Sequence, residues 1–182
     1  MFFEQPRCPQ NMEGSRLRLT GTGEGFSTRV RTVLTGADSP EKVLAALRLI
    51  FPDTNVDKLP DEPSFGQASN LTWTFEDVSM ATFLNQLHEQ RILDTALDAM
   101  SVGMNDSSTT FQISRVAALA GKIAFPIPGD RPLGGVVEVS IGGDGLADWL
   151  QAATWHPGRT QIPRHINDEH SMSEDGESTT WV

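Results

Sequence analysis

Few side chains in this sequence could carry catalysis or hold a metal. There are four histidines (His88, His156, His165, His170), one cysteine (Cys8) and 24 carboxylates among 182 residues. The densest group is His165-Ile166-Asn167-Asp168-Glu169-His170, with two imidazoles and two carboxylates in six residues. A zinc site needs ligands held in tetrahedral order by a supporting shell of hydrogen bonds. From His170 to Val182 the chain is acidic, polar and nearly free of aliphatics. That composition predicts a solvated tail, so no metal and no cofactor is expected. A single cysteine closes no internal disulfide and supplies no cysteine-based zinc site. The sequence has no G-x-S-x-G turn, P-loop or H-E-x-x-H motif, and Gly21-Thr22-Gly23-Glu24-Gly25 lacks dinucleotide-binding spacing. His88, beside Glu89, reads as an exposed helix residue. Asp94 and Asp98 share a helix face at i, i+4 and could pair as acids, but near Arg91 they read as solvent-facing carboxylates. The expectation is a protein that does no chemistry.

Charge argues against simple phosphate binding. Fourteen Lys and Arg against 24 Asp and Glu give a net charge of −10. Nucleic-acid binders usually carry a basic patch, yet no segment here is basic. Residues 1–25 hold three basic and three acidic side chains, residues 26–150 nine and sixteen, and residues 151–182 two and five. Eleven of the cations are Arg, leaving only Lys42, Lys58 and Lys122. Such an acidic, lysine-poor composition fits a high-salt cytoplasm as well as an ordinary acidic protein. No stretch approaches the roughly 20 apolar residues that cross a bilayer. The first residues lack a basic stretch leading into an apolar run, and a cytoplasmic protein is expected.

The elements follow from periodicity and punctuation. Residues 1–25 read as an N-terminal extension, 26–155 as one α+β domain, and 156–182 as an acidic, largely disordered tail. Phe26–Thr35 alternates as a strand, with Thr28, Val30, Thr32 and Leu34 on one face and Arg29, Arg31, Val33 and Thr35 on the other. Asp38-Ser39-Pro40-Glu41 starts a helix whose apolar side is Val43, Leu47, Ile50 and Phe51, and Pro52 stops it. Strands are expected at 54–59 and 68–76, the second directing Leu71, Trp73 and Phe75 inward. A long helix spans 80–102 up to Gly103. Its apolar stripe moves about 100° or more midway at 3.6 residues per turn. With no proline or glycine to break it, one helix touching two surfaces is expected. Strands at 109–115, 121–125 and 135–141 and a short helix at 146–153 complete the chain. The order β-α-β-β-α-β-β-β predicts a two-layer α+β fold, with a mostly antiparallel sheet and two main helices on one face.

By alternation the open sheet face presents Arg29, Arg31, Thr72, Thr74, Gln112 and Ser114, with Lys122 and Glu138 joining from the last two strands. Guanidinium groups contact phosphates in a bidentate manner, and hydroxyls and amides add phosphate or 2′-hydroxyl contacts. The face lacks the exposed aromatic pair with which some sheets stack bases.

At Gln90-Arg91-Ile92-Leu93-Asp94-Thr95-Ala96 the sequence resembles a small archaeal family described as predicted RNA-binding proteins or exosome subunits. Ser39-Pro40-Glu41-Lys42-Val43 with Ile50-Phe51-Pro52-Asp53 resembles the family's first helix and its end. Thr110-Phe111, Ala117-Ala118, Gly121-Lys122, Phe125 and Pro132-Leu133-Gly134 follow in the family's order. The match covers roughly residues 26–155, and the seven-residue helix motif is its most specific part. Ser114-Arg115-Val116 departs from the family's Asn-Lys-Gln, and Gly135 stands where a proline or acidic residue often follows. The resemblance implies a fold related to double-stranded-RNA-binding domains and to a large-subunit ribosomal protein. It implies a non-catalytic module for structured RNA or an RNA-processing assembly, working by shape and phosphate contact. The candidate contacts are Arg29, Arg31, Arg91, Arg115, Lys122 and Arg131. The competing expectation is a protein–protein adaptor without direct RNA contact.

Overall fold

A computed structural model describes residues 19–64, 66, 68–127, 129–130 and 132–166. Strand β1 (Ser27–Gly36) buries Thr28, Val30, Thr32 and Leu34 and exposes Arg29 and Arg31, as its alternation predicts. Helix α1 (Pro40–Ile50) is capped by Ser39, whose hydroxyl accepts from the Lys42 N–H at 3.4 Å, with Pro40 in the first turn. Strands β2 (Ser69–Glu76), β3 (Ser108–Ser114) and β4 (Val136–Gly142) join β1 in one four-stranded sheet of order β2-β1-β4-β3. Every pairing is antiparallel. One sheet face, with Val30, Leu34, Trp73, Phe111, Ile113, Val137, Val139 and Ile141, lies in the same core as Leu47, Phe83, Leu87, Leu97, Met100 and Leu150 from the helices. The fold is therefore α+β with one face of the sheet left open. A row of rings, Phe51–Phe83–Phe111–Phe125, runs through the core at centroid separations of 6.0, 5.7 and 6.2 Å. Among the described residues no helix is long and apolar enough to cross a membrane.

The expected long helix is two helices, α2 (Ala81–Gln90) and α3 (Leu93–Ser101). Arg91 between them adopts φ 56° and ψ 39°, in the left-handed region. The Arg91 N–H donates to His88 O at 3.2 Å and the Ile92 N–H to Leu87 O at 3.2 Å. That pair of bonds closes a helix C-terminus in the manner usually built on glycine. The shift in the apolar stripe thus marks a break between two helices, and Leu87 and Leu97 are both fully buried. A left-handed conformation costs a non-glycine residue about 1–2 kcal/mol, partly offset by the greater chain entropy a glycine loses on folding. Arg91→Gly is therefore expected to stabilise the domain by about 0.5–1 kcal/mol, read as a raised denaturation midpoint.

Two expected strands are loops. In 54–59 the Thr54 N–H and hydroxyl both donate to Phe51 O, at 3.1 and 2.7 Å. Arg48 of α1 donates to Thr54 O and Asn55 Oδ1. These polar groups are satisfied by the end of a helix, which leaves no ladder to form. In 121–125 the Lys122 N–H turns back to Ala117 O at 2.9 Å, and Ala124 O accepts from the Ser114 N–H at 2.9 Å. The preceding residues form a short helix, α4 (Arg115–Leu119), which Ser114 caps. Within β2, Trp73 is buried and Phe75 half-buried, but Leu71 is exposed on this edge strand.

Helix α5 (Leu146–Ala153) forms where expected, and chain outside residues 26–155 packs on the domain. Glu24 accepts from the Thr20 and Gly21 N–H groups at 2.7 and 3.2 Å and from Trp149 Nε1 at 2.7 Å. Burial alone would raise the Glu24 pKa, but these hydrogen bonds outweigh it and hold the carboxyl below its ordinary value. Beyond α5, Pro157–Thr160 forms a 3₁₀ turn, so ordered chain extends past the expected boundary at 155.

Candidate nucleic-acid interface

The six candidate cations fall into different places. Arg29 and Arg31 stand on the open sheet face as the alternation predicts, two residues apart on β1. Their cross-strand partners are acidic. Glu76 lies opposite Arg29 in β2 and accepts from Arg29 Nε at 2.7 Å. Glu138 lies opposite Arg31 in β4 and accepts from Arg31 Nη1 at 3.4 Å. Further along the same rows, Thr110 and Ser140 hydroxyls meet at 3.0 Å, and Gln112 lies opposite Glu138. The face is therefore a flat, charge-balanced polar array, and the two arginines create no net positive field there.

Arg115 is not a surface cation, which corrects the expectation for it. β3 ends at Ser114, whose side chain caps α4, so Arg115 begins a helix and its side chain turns inward to 5% exposure. Its Nη2 donates to Asp38 Oδ2 at 2.7 Å, Nη1 to Val33 O at 3.1 Å, and Nε to Gly134 O. Each guanidinium nitrogen is engaged, and at 5% exposure the side chain is not presented to a phosphate. Gly135 makes room for it: at φ +74° its backbone lies against the guanidinium, and a Cβ there would sit 2.8 Å from Arg115 Cζ. Arg131 lies outside the described residues.

Arg91 and Lys122 flank one contact between the end of α2 and the loop after α4. The Ile123 N–H donates to Gln90 Oε1 at 3.1 Å, so each cation sits one residue from a contact that joins the end of α2 to the loop after α4. Both residues are exposed. Among the described residues neither makes an ion pair, whereas Arg29, Arg31, Arg115, Arg159 and Arg164 all do. Lys122 thus lies in the loop after α4, one residue from that contact, instead of on a strand of the sheet. Arg91 also holds the strained backbone conformation, and such strain clusters at functional sites.

The seven-residue motif now reads as structure. Gln90 receives the loop, Arg91 ends α2, and Leu93 and Ala96 are buried. Asp94 accepts from Arg159 Nε at 2.9 Å and meets His156 Nε2 at 3.0 Å. Burial alone would raise the Asp94 pKa, but the hydrogen bonds and charges of Arg159 and His156 hold it below the ordinary carboxylate value. Asp98 receives Arg164 through both its oxygens, at 3.1 and 2.5 Å. These two acids are anchors for the C-terminal segment, a role that sequence reasoning missed. The available signal was a pair of arginines, Arg159 and Arg164, in an otherwise acidic tail. His88 is half-buried and His165 exposed. Asn167 to His170 lie outside the described residues, among which no group of three or more His, Cys, Asp or Glu is placed to hold a metal ion.

No family model matches the chain. It is 29% identical over 114 residues to a UPF0200/UPF0201 protein of Archaeoglobus fulgidus, an alignment covering 63% of this chain and 32% of that protein. It is 28% identical over 121 residues to a UPF0201 protein of Sulfurisphaera tokodaii, covering 65% of this chain and 81% of that one. The chain thus spans about a third of the length of the first relative and most of the second. Among solved structures it is similar to a UPF0201 protein from Methanococcus jannaschii, with TM-score 0.58 and 23% identity over 72% of this chain and 96% of that one. A second, uncharacterized UPF0201 protein gives TM-score 0.55 and 24% identity over 69% and 90%. The relatives are therefore archaeal UPF0201 proteins, and the two solved structures share the fold.

Proposed function

We propose that the domain binds structured RNA, without chemistry, through phosphate contacts at the corner formed by Arg91 and Lys122. One observation carries this reading: the Gln90–Ile123 hydrogen bond gathers two exposed cations that no carboxylate neutralises among the described residues. Each phosphate contact contributes about 0.7–0.9 to the dependence of log affinity on log salt. Two cations on a chain of net charge −10 therefore give weak binding whose salt slope is only about 1.4–1.8. Contacts of this kind position a protein on RNA without reading bases, so the preference is for shape.

The charge-balanced sheet face favours a second reading, a protein adaptor. A face whose arginines are already matched by Glu76 and Glu138 suits a polar protein surface better than a polyanion. The two readings separate in one binding assay with a structured RNA at low ionic strength. Arg91→Gly with Lys122→Ala is expected to weaken binding and flatten the salt dependence by about one to two units. Arg29→Ala with Arg31→Ala is expected to change neither. If the sheet pair alone weakens binding, the surface is the sheet. Absence of wild-type binding at the lowest salt leaves the adaptor reading.

A further inference from the structure

Charge separates sharply along the C-terminal part of the chain. Residues 151–166 carry Arg159 and Arg164 and no carboxylate. Residues 167–182 carry Asp168, Glu169, Glu174, Asp175 and Glu177 and no Lys or Arg. The acidic stretch is tethered close to Arg91. Just before it, Arg164 Nε donates to Asp98 Oδ1 of α3 at 3.1 Å, and Ile166 packs partly against the core. Asp98 lies five residues along α3 from Leu93, about 8 Å at the helical rise, and Leu93 follows Arg91 by two residues. Glu174 follows Ile166 by eight residues, a length of chain that reaches up to about 26–29 Å. Most other cations among the described residues already have partners. Arg29, Arg31, Arg115, Arg159 and Arg164 are ion-paired, and Arg48 donates to Thr54 O and Asn55 Oδ1. Lys42 and Lys58 each follow a carboxylate, Glu41 and Asp57. Arg91 and Lys122 are the two cations best placed for an acidic ligand.

We propose that the acidic stretch around Glu174, Asp175 and Glu177 is an internal competitor for the Arg91–Lys122 corner, its carboxylates taking the places of phosphates until RNA displaces them. The proposal rests on the reading of that corner as a phosphate site and adds its regulation. Carboxylates and phosphates accept from guanidinium and ammonium groups through the same charge-assisted hydrogen bonds. Covalent attachment supplies the acids at an effective concentration of about millimolar, so weak, exposed contacts suffice. At that concentration three carboxylates facing two cations should mask the corner about three- to five-fold. Ions screen exposed charge pairs, so the masking fades as salt rises. Wild type therefore loses RNA affinity with salt less steeply than a chain without the competitor.

In the full chain, Glu174→Gln with Asp175→Ser and Glu177→Gln removes the competitor and leaves Asp168 and Glu169, next to the anchored residues, in place. Backbone amide NMR spectra read the contact without RNA. At low salt the three substitutions are expected to move the amide signals of Arg91, Ile92, Lys122 and Ile123. Those of Arg29, Arg31, Lys42 and Lys58 should stay in place. At molar salt the corner signals of wild type and variant should coincide. In a chain that also carries Arg91→Gly and Lys122→Ala, the same neutralisation should no longer move Ile92 and Ile123. RNA affinity gives the second readout. The neutralised variant should bind about three- to five-fold more tightly than wild type at low salt, with a steeper salt dependence. Corner amides indifferent to the neutralisation, whether or not RNA binds, would overturn the competitor. Equal shifts at Lys42 and Lys58 would overturn it too, since they report only the general field of the acidic stretch. Corner amides that move while RNA binds with unchanged affinity would overturn the competition. If they move and neither form binds RNA, the contact stands and the phosphate reading of the corner falls.

Discussion

Arg115→Ala should remove about 3–5 kcal/mol of folding stability, the loss typical of breaking a buried ion pair on one side. The guanidinium ties the β1–α1 connection, through Val33 and Asp38, to Gly134 about a hundred residues later, ahead of β4. Its removal leaves Asp38, whose side chain is 20% exposed, without its cation, and strips the donors from two carbonyls. Arg115→Lys should recover only part of the loss, since one ammonium cannot reach three acceptors in a plane. By contrast, Arg29→Ala breaks a pair in which both side chains are more than half exposed, and should cost about 0–1 kcal/mol. Urea denaturation of the three variants checks the contrast. If Arg115→Ala falls within the range of Arg29→Ala, Arg115 is not the tie described here.

Leu87→Ala and Leu97→Ala should each cost about 2–5 kcal/mol, because both side chains are fully buried and truncation leaves a cavity. Leu87 belongs to α2 and Leu97 to α3, so the pair tests the packing of both helices that flank Arg91. Both variants should shift the urea midpoint and leave the slope unchanged. A near-zero loss at either site would mean that the helix carrying it is not packed.

The elements legible in the sequence were those with a local signature. β1 and β4 alternate, α1 carries its cap and first-turn proline, and α5 lies between a glycine turn and its last buried alanine. The helix break at Arg91 has no such signature, because arginine occupies a backbone conformation that sequence reading assigns to glycine. The shifted stripe recorded the event, and only its cause was misread. Residues 54–59 and 121–125 resemble strands in composition, yet their backbone groups bond to the ends of neighbouring helices. Half of the candidate site was legible: exposed Arg91 and Lys122 were named, but the Gln90–Ile123 bond that joins them spans 33 residues. Arg115 failed for a local reason, since a cap at Ser114 turned the next residue inward. The anchors for Arg159 and Arg164 lie 65 and 66 residues earlier in the chain, beyond any periodicity.

The central claim is that Arg91 and Lys122 form the phosphate-contact corner, and Arg91→Gly tests it most directly, because glycine suits the turn while the cation is lost. The measurement is RNA affinity across a salt series, from low ionic strength upward, on samples whose thermal unfolding is recorded in parallel. The expected result is a variant that melts higher than wild type yet binds more weakly at low salt, with a salt slope reduced by about 0.7–0.9. The reduction should be the same for structured RNAs of different sequence. A variant that is stabilised and binds with unchanged affinity and slope would contradict the claim.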